Sequence, residues 1–143
     1  MTREVLNARA RAAATARLSD PQARGAYNAH KRAYHLARKA VDPEYAAHRR
    51  ALAVNGGAVL RLRQQGRPVP PKEILQACAE VVKATPAGLE MDHIVPLRGY
   101  RPGTTEWVVS GLHVPHNLQP LTKVANVTKF HWFDPAEDHR LAA

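Results

Sequence analysis

The chain has 143 residues, 45% hydrophobic and 23% charged, with few aromatics and one cysteine. That length fits one compact domain, or a small domain with an extension, and Cys78 alone can form neither an intrachain disulfide nor a cysteine-built zinc site. The net charge of +9 and pI of about 10.3 predict a polyanionic partner, nucleic acid first, or else a basic surface with no partner.

No apolar run approaches the roughly 20 residues that span a bilayer, so no membrane contact is expected. The opening "MTREVLNARARAAATARL" lacks the apolar core of a secretory signal, and a cytoplasmic protein is expected. The charge is uneven. Residues 1–88 carry 16 Lys/Arg against 6 Asp/Glu (+10), and residues 89–143 carry 5 against 6 (−1). A basic, mainly helical region over 1–88 is therefore separated from a module of different character over 89–133, with a short helix or tail at 134–143.

In chain order, residues 2–18 are rich in Ala and Arg and predict a helix. Asp20-Pro21 and Asp42-Pro43 each pair a good N-cap with the residue favoured at the first helical position. They predict helices over 21–40 and 43–54. On the first, Ala23, Ala26, Tyr27, Tyr34, Ala37 and Val41 share one face, and Arg24, Lys31, His35 and Arg38 form another stripe. Such a helix can pack with one face and hold phosphates with the other. Asn55-Gly56-Gly57 is expected to stop the second helix. "AVLRLRQQ" (58–65) fits either helix or strand, and "GRPVPP" (66–71) reads as a turn or linker. A helix over 71–84 follows, with Ile74, Leu75, Cys78, Val81 and Val82 on its apolar face, so Cys78 reads as a packing residue.

The pattern then changes to strand (89–97), loop (98–106), strand (107–114), loop (115–121) and helix from Thr122 through "KVANVTKFHW". Asp134-Pro135, with Glu137 three residues on, reads as one more helix start. Trp107, Phe130, Trp132 and Phe133 are expected to form a small core.

Within this region "EMDHIVP" sets Asp92 beside His93 in a strand that should be buried. "GLHVPHNLQPL" brings Asn117 24 residues after His93, and "ANVTK" brings Asn126 nine residues later and Lys129 three beyond that. These three elements resemble the HNH endonuclease family, in its phage-type form with the ββα-metal fold. The resemblance covers residues 89–133 and implies an α+β protein: a C-terminal ββα-metal module with an N-terminal basic, mainly helical region. It implies a nuclease hydrolysing DNA phosphodiesters, by nicking or double-strand cleavage, to 5′-phosphate and 3′-hydroxyl ends. His93 corresponds to the general base, Asp92 and Asn126 to the metal ligands, and Asn117 to the residue that braces the loop and orients the base. Many relatives carry a further histidine ligand one helical turn on, where this chain has Phe130.

The residue chemistry is compatible on its own terms. A histidine near neutrality can take a water's proton. Two hard oxygen ligands suit Mg²⁺ or Mn²⁺ better than Zn²⁺ or Ni²⁺. Neighbouring strand residues face opposite sides, so Asp92 and His93 can serve one phosphate only near a strand end or bulge. His113 would contact the phosphate or adjust the base, unless it is a packed, hydrogen-bonded histidine. Lys129, Arg98 and Arg101 near the site, and Lys31 and Arg38 on the basic helix, are candidate phosphate contacts in a mostly backbone grip on DNA. The expected assembly is a monomer or homodimer. The alternative is a noncatalytic DNA-binding protein, or a phage packaging factor that binds a partner such as the terminase.

Overall fold

The computed structural model describes residues 3–136 and is an α+β structure in two compact units, divided at Pro43/Glu44. The N-terminal unit holds α1 (Arg3–Ser19) and α2 (Pro21–Val41), which pack on each other. Asp20 caps α2 as its sequence requires. Its carboxylate accepts from the Gln22 and Ala23 amides at 3.0 and 3.3 Å, and Pro21 takes the first turn. The expected packing of one α2 face does not occur: Tyr27, Tyr34, Leu36 and Val41 are all exposed, and no α2 residue is buried.

The second unit opens with α3 (Pro43–Gln64), which runs ten residues past the expected stop. Neither Gly56 nor Gly57 adopts the left-handed conformation that ends a helix. The apolar spacing instead continues through them, and Ala51, Ala58 and Leu62 are buried along one face. The stop is Gly66, at φ 65°. Its N–H donates to the Arg63 carbonyl (3.0 Å), and the Arg67 N–H reaches back to the Leu62 carbonyl (2.9 Å), which is a Schellman ending. "AVLRLRQQ" is thereby helical. The turn at 66–71 leads into α4 (Lys72–Ala84), whose Cys78 and Val82 are buried. Ala51, Cys78, Val82 and Leu118 form the main core, with Val54, Ile74 and Met91 against it. Cys78 is a packing residue, as expected.

The first strand, β1 (Glu90–His93), is shorter than the expected 89–97. Its partner is not 107–114 but β4 (Leu118–Leu121), inside the segment expected to be a loop. The antiparallel register sets Asp92 opposite Gln119 and His93 opposite Leu118. The 107–114 segment forms only β3 (Trp107–Val109), which pairs with β2 (Gly99–Tyr100) in the loop expected at 98–106. A 3₁₀ turn, Pro115–Asn117, leads into β4, and α5 (Lys123–Lys129) packs on both β1 and β4. Thr122 caps α5 through the Ala125 amide at 3.2 Å.

The expected helix through Trp132 ends earlier because Phe130 turns to φ 51°. A non-glycine residue there stores on the order of 1–3 kcal/mol of strain. The expected aromatic core is likewise reduced. Phe133 is buried, Trp107 and Phe130 are exposed, and small aliphatic residues fill the interior. The helix expected from Asp134 with Glu137 lies outside the described residues, beyond an Asp134 carboxylate that accepts from the Ala136 amide. Among the described residues no helix is long and apolar enough to cross a membrane.

Two contacts hold the loops around β1. The half-buried Arg67 guanidinium donates to the Leu97 carbonyl at 2.8 Å and the Gly111 carbonyl at 2.7 Å, joining segments 30 and 44 residues away. Gly111 lies so close to the preceding loop that a Cβ there would collide with the Val95 carbonyl oxygen and meet the Pro96 carbonyl oxygen at 2.8 Å. Backbone atoms cannot swing aside as a side chain would. Gly111→Ala should therefore destabilise the protein by about 2–3 kcal/mol in urea unfolding, and a loss below about 0.5 kcal/mol would contradict this packing.

Candidate functional site

β1 ends at His93 for a definable reason. Asn117, 6% exposed, spends its side chain on the next residues of the chain. The Val95 N–H donates to Asn117 Oδ1 at 2.8 Å, and Asn117 Nδ2 donates to the Val95 carbonyl at 3.0 Å and the Leu112 carbonyl at 2.7 Å. The Ile94 N–H donates to the Asn117 backbone carbonyl at 2.8 Å. That last bond still follows the β1–β4 register, but the Asn117 N–H turns to the Val114 carbonyl at 3.1 Å in a 3₁₀ turn, so the ladder closes after His93. The Asp92-His93 dipeptide thus stands at a strand end, the condition the sequence demanded.

The strand alternation then divides the pair. Met91 packs into the core, while Asp92 turns toward Gln119 and α5. Asp92 Oδ2 lies 2.7 Å from Lys129 Nζ and accepts from Gln119 Nε2 at 3.3 Å. The same ammonium donates to the His93 carbonyl at 2.7 Å. Asn126 Nδ2 donates to Glu90 Oε2 at 2.7 Å. His93 turns to the other side, where its Nε2 meets His113 Nδ1 at 2.9 Å, and His113 Nε2 meets Asn55 Oδ1 at 3.0 Å. His93 is 7% exposed and His113 1%. His113 lies outside β3, and it reaches His93 although the expected pairing of 107–114 with the first strand does not form.

Asp92, His93 and Asn126 border one cavity of about 290 Å³, together with Arg61 and His131. An adjoining cavity of about 240 Å³ shares Asp92, His93, Arg61 and His131 and adds Arg98 and Tyr100. So β1, α5 and α3 bring together Asp92, His93, Asn126 and Lys129, with Asn117 and His113 behind them and Arg98 at the rim. Arg98 also lies over the Trp107 ring, 4.7 Å from its centroid. Arg101 is engaged instead with Glu106, at 2.7 Å. Lys31 and Arg38 belong to α2 in the other unit. Lys31 sits over the Tyr27 ring, and Arg38 holds Asp42 at 3.2 Å.

Sequence reasoning missed Arg61, hidden in the ambiguous "AVLRLRQQ". It missed Asn55, whose Asn-Gly-Gly context resembles a helix stop, and it left His131 without a role. A helical reading of 43–64 would have exposed the first two, since Asn55, Ala58 and Leu62 follow one another at helical spacing.

The donors of Asp92 and Asn126 suit a hard divalent cation: a carboxylate and an amide carbonyl border the same cavity. Lys129 already neutralises Asp92, so a cation there would share or replace that ammonium. Among the described residues no group of three or more His, Cys, Asp or Glu is arranged to hold a metal. Comparisons with protein-family models, curated proteins and solved structures find no match to this chain.

The His93 imidazole is pushed down from 6.5 to about 4, chiefly by burial, then by His113; Asp92 opposes the shift, and Arg61 and Lys129 add to it. Burial also lowers His113, with Arg61 contributing. A depressed folded-state value means that the unfolded chain binds more protons between about pH 4 and 6.5. The stabilisation is whole above 6.5 and is lost as pH falls toward 4. For His93 alone the loss is on the order of 3 kcal/mol. Urea unfolding at pH 7 and pH 5 should show a weaker wild type at pH 5 and a smaller difference in His93→Gln; equal pH sensitivity in the two would contradict this assignment.

Proposed function

We propose that the protein is a metal-dependent endonuclease of the HNH type that hydrolyses DNA phosphodiester bonds. One observation carries the reading: a strand ends at His93 so that the Asp92 carboxylate, the His93 ring and the Asn126 amide border one cavity. The antiparallel β1–β4 pair with α5 across it supports the ββα-metal reading of that arrangement.

In this mechanism a scissile phosphate lies in the cavity between α3 and α5. His93 takes a proton from the attacking water. It is neutral at physiological pH because it is buried, and the phosphate's negative charge raises its affinity for that proton. Asn117 keeps the ring in place through the backbone that follows it. Asp92 and Asn126 would hold one divalent cation, Mg²⁺ or Mn²⁺ by donor type. When bound, that cation supplies charge stabilisation for the pentacoordinate phosphorus and the departing 3′ oxygen. Arg61 and Arg98, which border the cavities, present cations to the phosphate oxygens, and Lys129 supplies a further cation beside Asp92. The products carry 5′-phosphate and 3′-hydroxyl ends. One such site cuts one strand, so a double-strand break needs a dimer or two visits.

A second reading has its own support. Lys129 occupies Asp92 at 2.7 Å, which gives that carboxylate a built-in cation and suits a noncatalytic DNA-binding or packaging protein. Supercoiled plasmid with Mg²⁺, Mn²⁺ or EDTA separates the two. The nuclease should relax or linearise plasmid with metal and leave it intact with EDTA. His93→Ala should slow cutting by roughly 10²–10⁴-fold. Plasmid intact in every metal would sink the enzymatic reading.

The basic N-terminal region, residues 1–88 with charge +10, is proposed to grip the DNA backbone. Binding to a mixed-sequence duplex, followed by fluorescence anisotropy, should weaken steeply with salt. Lys31→Ala should reduce the slope of log K against log salt by about 1. Arg38→Ala should reduce it less, because Arg38 is tied to Asp42 and Tyr34. Slopes identical to wild type in both variants would remove α2 from the DNA-binding surface.

A further inference from the structure

The chain Asn55–His113–His93 starts on α3 and ends at the ring proposed as the base. Its polarity can be read from one end. A backbone carbonyl only accepts, so the Asn55 atom 2.7 Å from the Leu75 carbonyl is the amide nitrogen. The other amide atom, which faces His113 Nε2 at 3.0 Å, is therefore the oxygen. An oxygen acceptor requires His113 Nε2 to carry its proton. In neutral His113 the Nδ1 atom is then an acceptor, and the ring nitrogen 2.9 Å from it, His93 Nε2, must donate. That leaves His93 Nδ1 with its lone pair exposed, and it has no hydrogen-bond partner among the described residues.

We infer that Asn55 and His113 act as positioning residues that lock His93 in its Nε2–H form, so that Nδ1 is the atom that takes the proton from water. The inference rests on the nuclease reading for its catalytic meaning, but the proton positions stand apart from it. His113 does not touch substrate in this scheme. It works through His93, as the middle of a line of hydrogen bonds anchored on the Leu75 carbonyl of α4. The proton balance is simple. Water loses a proton to His93 Nδ1, the hydroxide oxygen bonds to phosphorus, and the 3′ oxygen leaves with the electrons of the broken P–O bond. His93 carries a proton on each nitrogen until it returns one to solvent. The Nε2 proton stays on His93, because moving it to His113 Nδ1 would only carry the charge to the more deeply buried ring, whose own Nε2 proton the Asn55 amide oxygen cannot take up.

The test is long-range ¹H–¹⁵N correlation NMR of the full chain labelled at histidine, near neutral pH and without metal. His93 and His113 should each show a pyrrole-like Nε2 and a pyridine-like Nδ1. Asn55→Leu removes the oxygen acceptor while keeping size and helix propensity. It should leave His93 as a mixture of tautomers and lower kcat by roughly tenfold to a hundredfold with KM little changed. Asn55→Asp restores an acceptor and should restore both the single tautomer and most of kcat. If Asn55→Leu does not fold, the wild-type spectrum and Asn55→Asp still decide. A His93 that carries its proton on Nδ1 in the wild type, or a folded Asn55→Leu with the His93 signals unchanged, overturns the inference. The stated tautomers in a chain that cuts no DNA support the positioning chain and overturn only the nuclease reading.

Discussion

The side chain of Asn117 is the constraint on which the site depends. A buried amide with two donors and an acceptor must find partners for them or lose on the order of 1–3 kcal/mol per unmade bond. Asn117 finds them on Val95 and Leu112, and its backbone carbonyl takes the Ile94 amide. By doing so it draws the chain leading to His113 close beside β1, while its own N–H, turned to the Val114 carbonyl, closes the ladder after His93. Had the strand continued straight through Val95, the Asn117 amide would have lost its partners on Val95, and with them the contact that holds the Leu112 segment beside β1. The same residue also starts β4, through the 3₁₀ turn at Pro115–Asn117. One residue thus joins the end of the first strand, through its backbone, to the loops on either side, through its side chain.

Electrostatics divides the site along the same line. On the α5 side the groups are charged and partly wet. Lys129 bridges the Asp92 carboxylate and the His93 carbonyl, and Asn126 reaches Glu90. On the α3 side, Arg61 apart, they are neutral: two buried histidines and a half-buried asparagine at 2.9 and 3.0 Å. Burying neutral polar groups is tolerable when each bond is made, whereas a buried charge would need a partner. The low proton affinity of both rings follows chiefly from their burial; Arg61 adds to it at both, and His113 adds to it at His93.

Much of this was legible in the sequence, because it lay in short-range chemistry. Asp20-Pro21 capped a helix where it should, Cys78 packed as its apolar run implied, and the strand end demanded at Asp92-His93 is present. The failures are those of non-local partnership. Asn55-Gly56-Gly57 has the composition of a helix stop, but Ala51, Ala58 and Leu62 keep burying one face, and the burial overrides the weak preference of two glycines. The partner of β1 could not be chosen from sequence, since "WVVSGLHV" has stronger strand character than "LQPL". In the structure Leu118–Leu121, next to Asn117, lies beside Glu90–His93. The expected aromatic core failed because the main core was already closed by small residues from α3, α4 and β4, which left Trp107 and Phe130 at the surface.

The misread helix and the misplaced strand are linked. Only because α3 continues through Gly56 and Gly57 does it carry Arg61 to the cavity that Asp92 and His93 border, while Asn55 stays level with His113. A helix ended at Val54 would have put Asn55 in a flexible turn, where its amide has no reason to hold one orientation. Inside the helix its backbone is fixed, and the Leu75 carbonyl fixes which amide atom faces the histidines. The two glycines lower local helix propensity by about 1 kcal/mol each relative to alanine. Their bare surface leaves the helix slim where the Arg61 side chain lies back along it, 3.6 Å from where a Gly57 Cβ would stand. The feature that looked like punctuation in the sequence is thus continuous helix, and its continuity carries both Asn55 and Arg61 to the site.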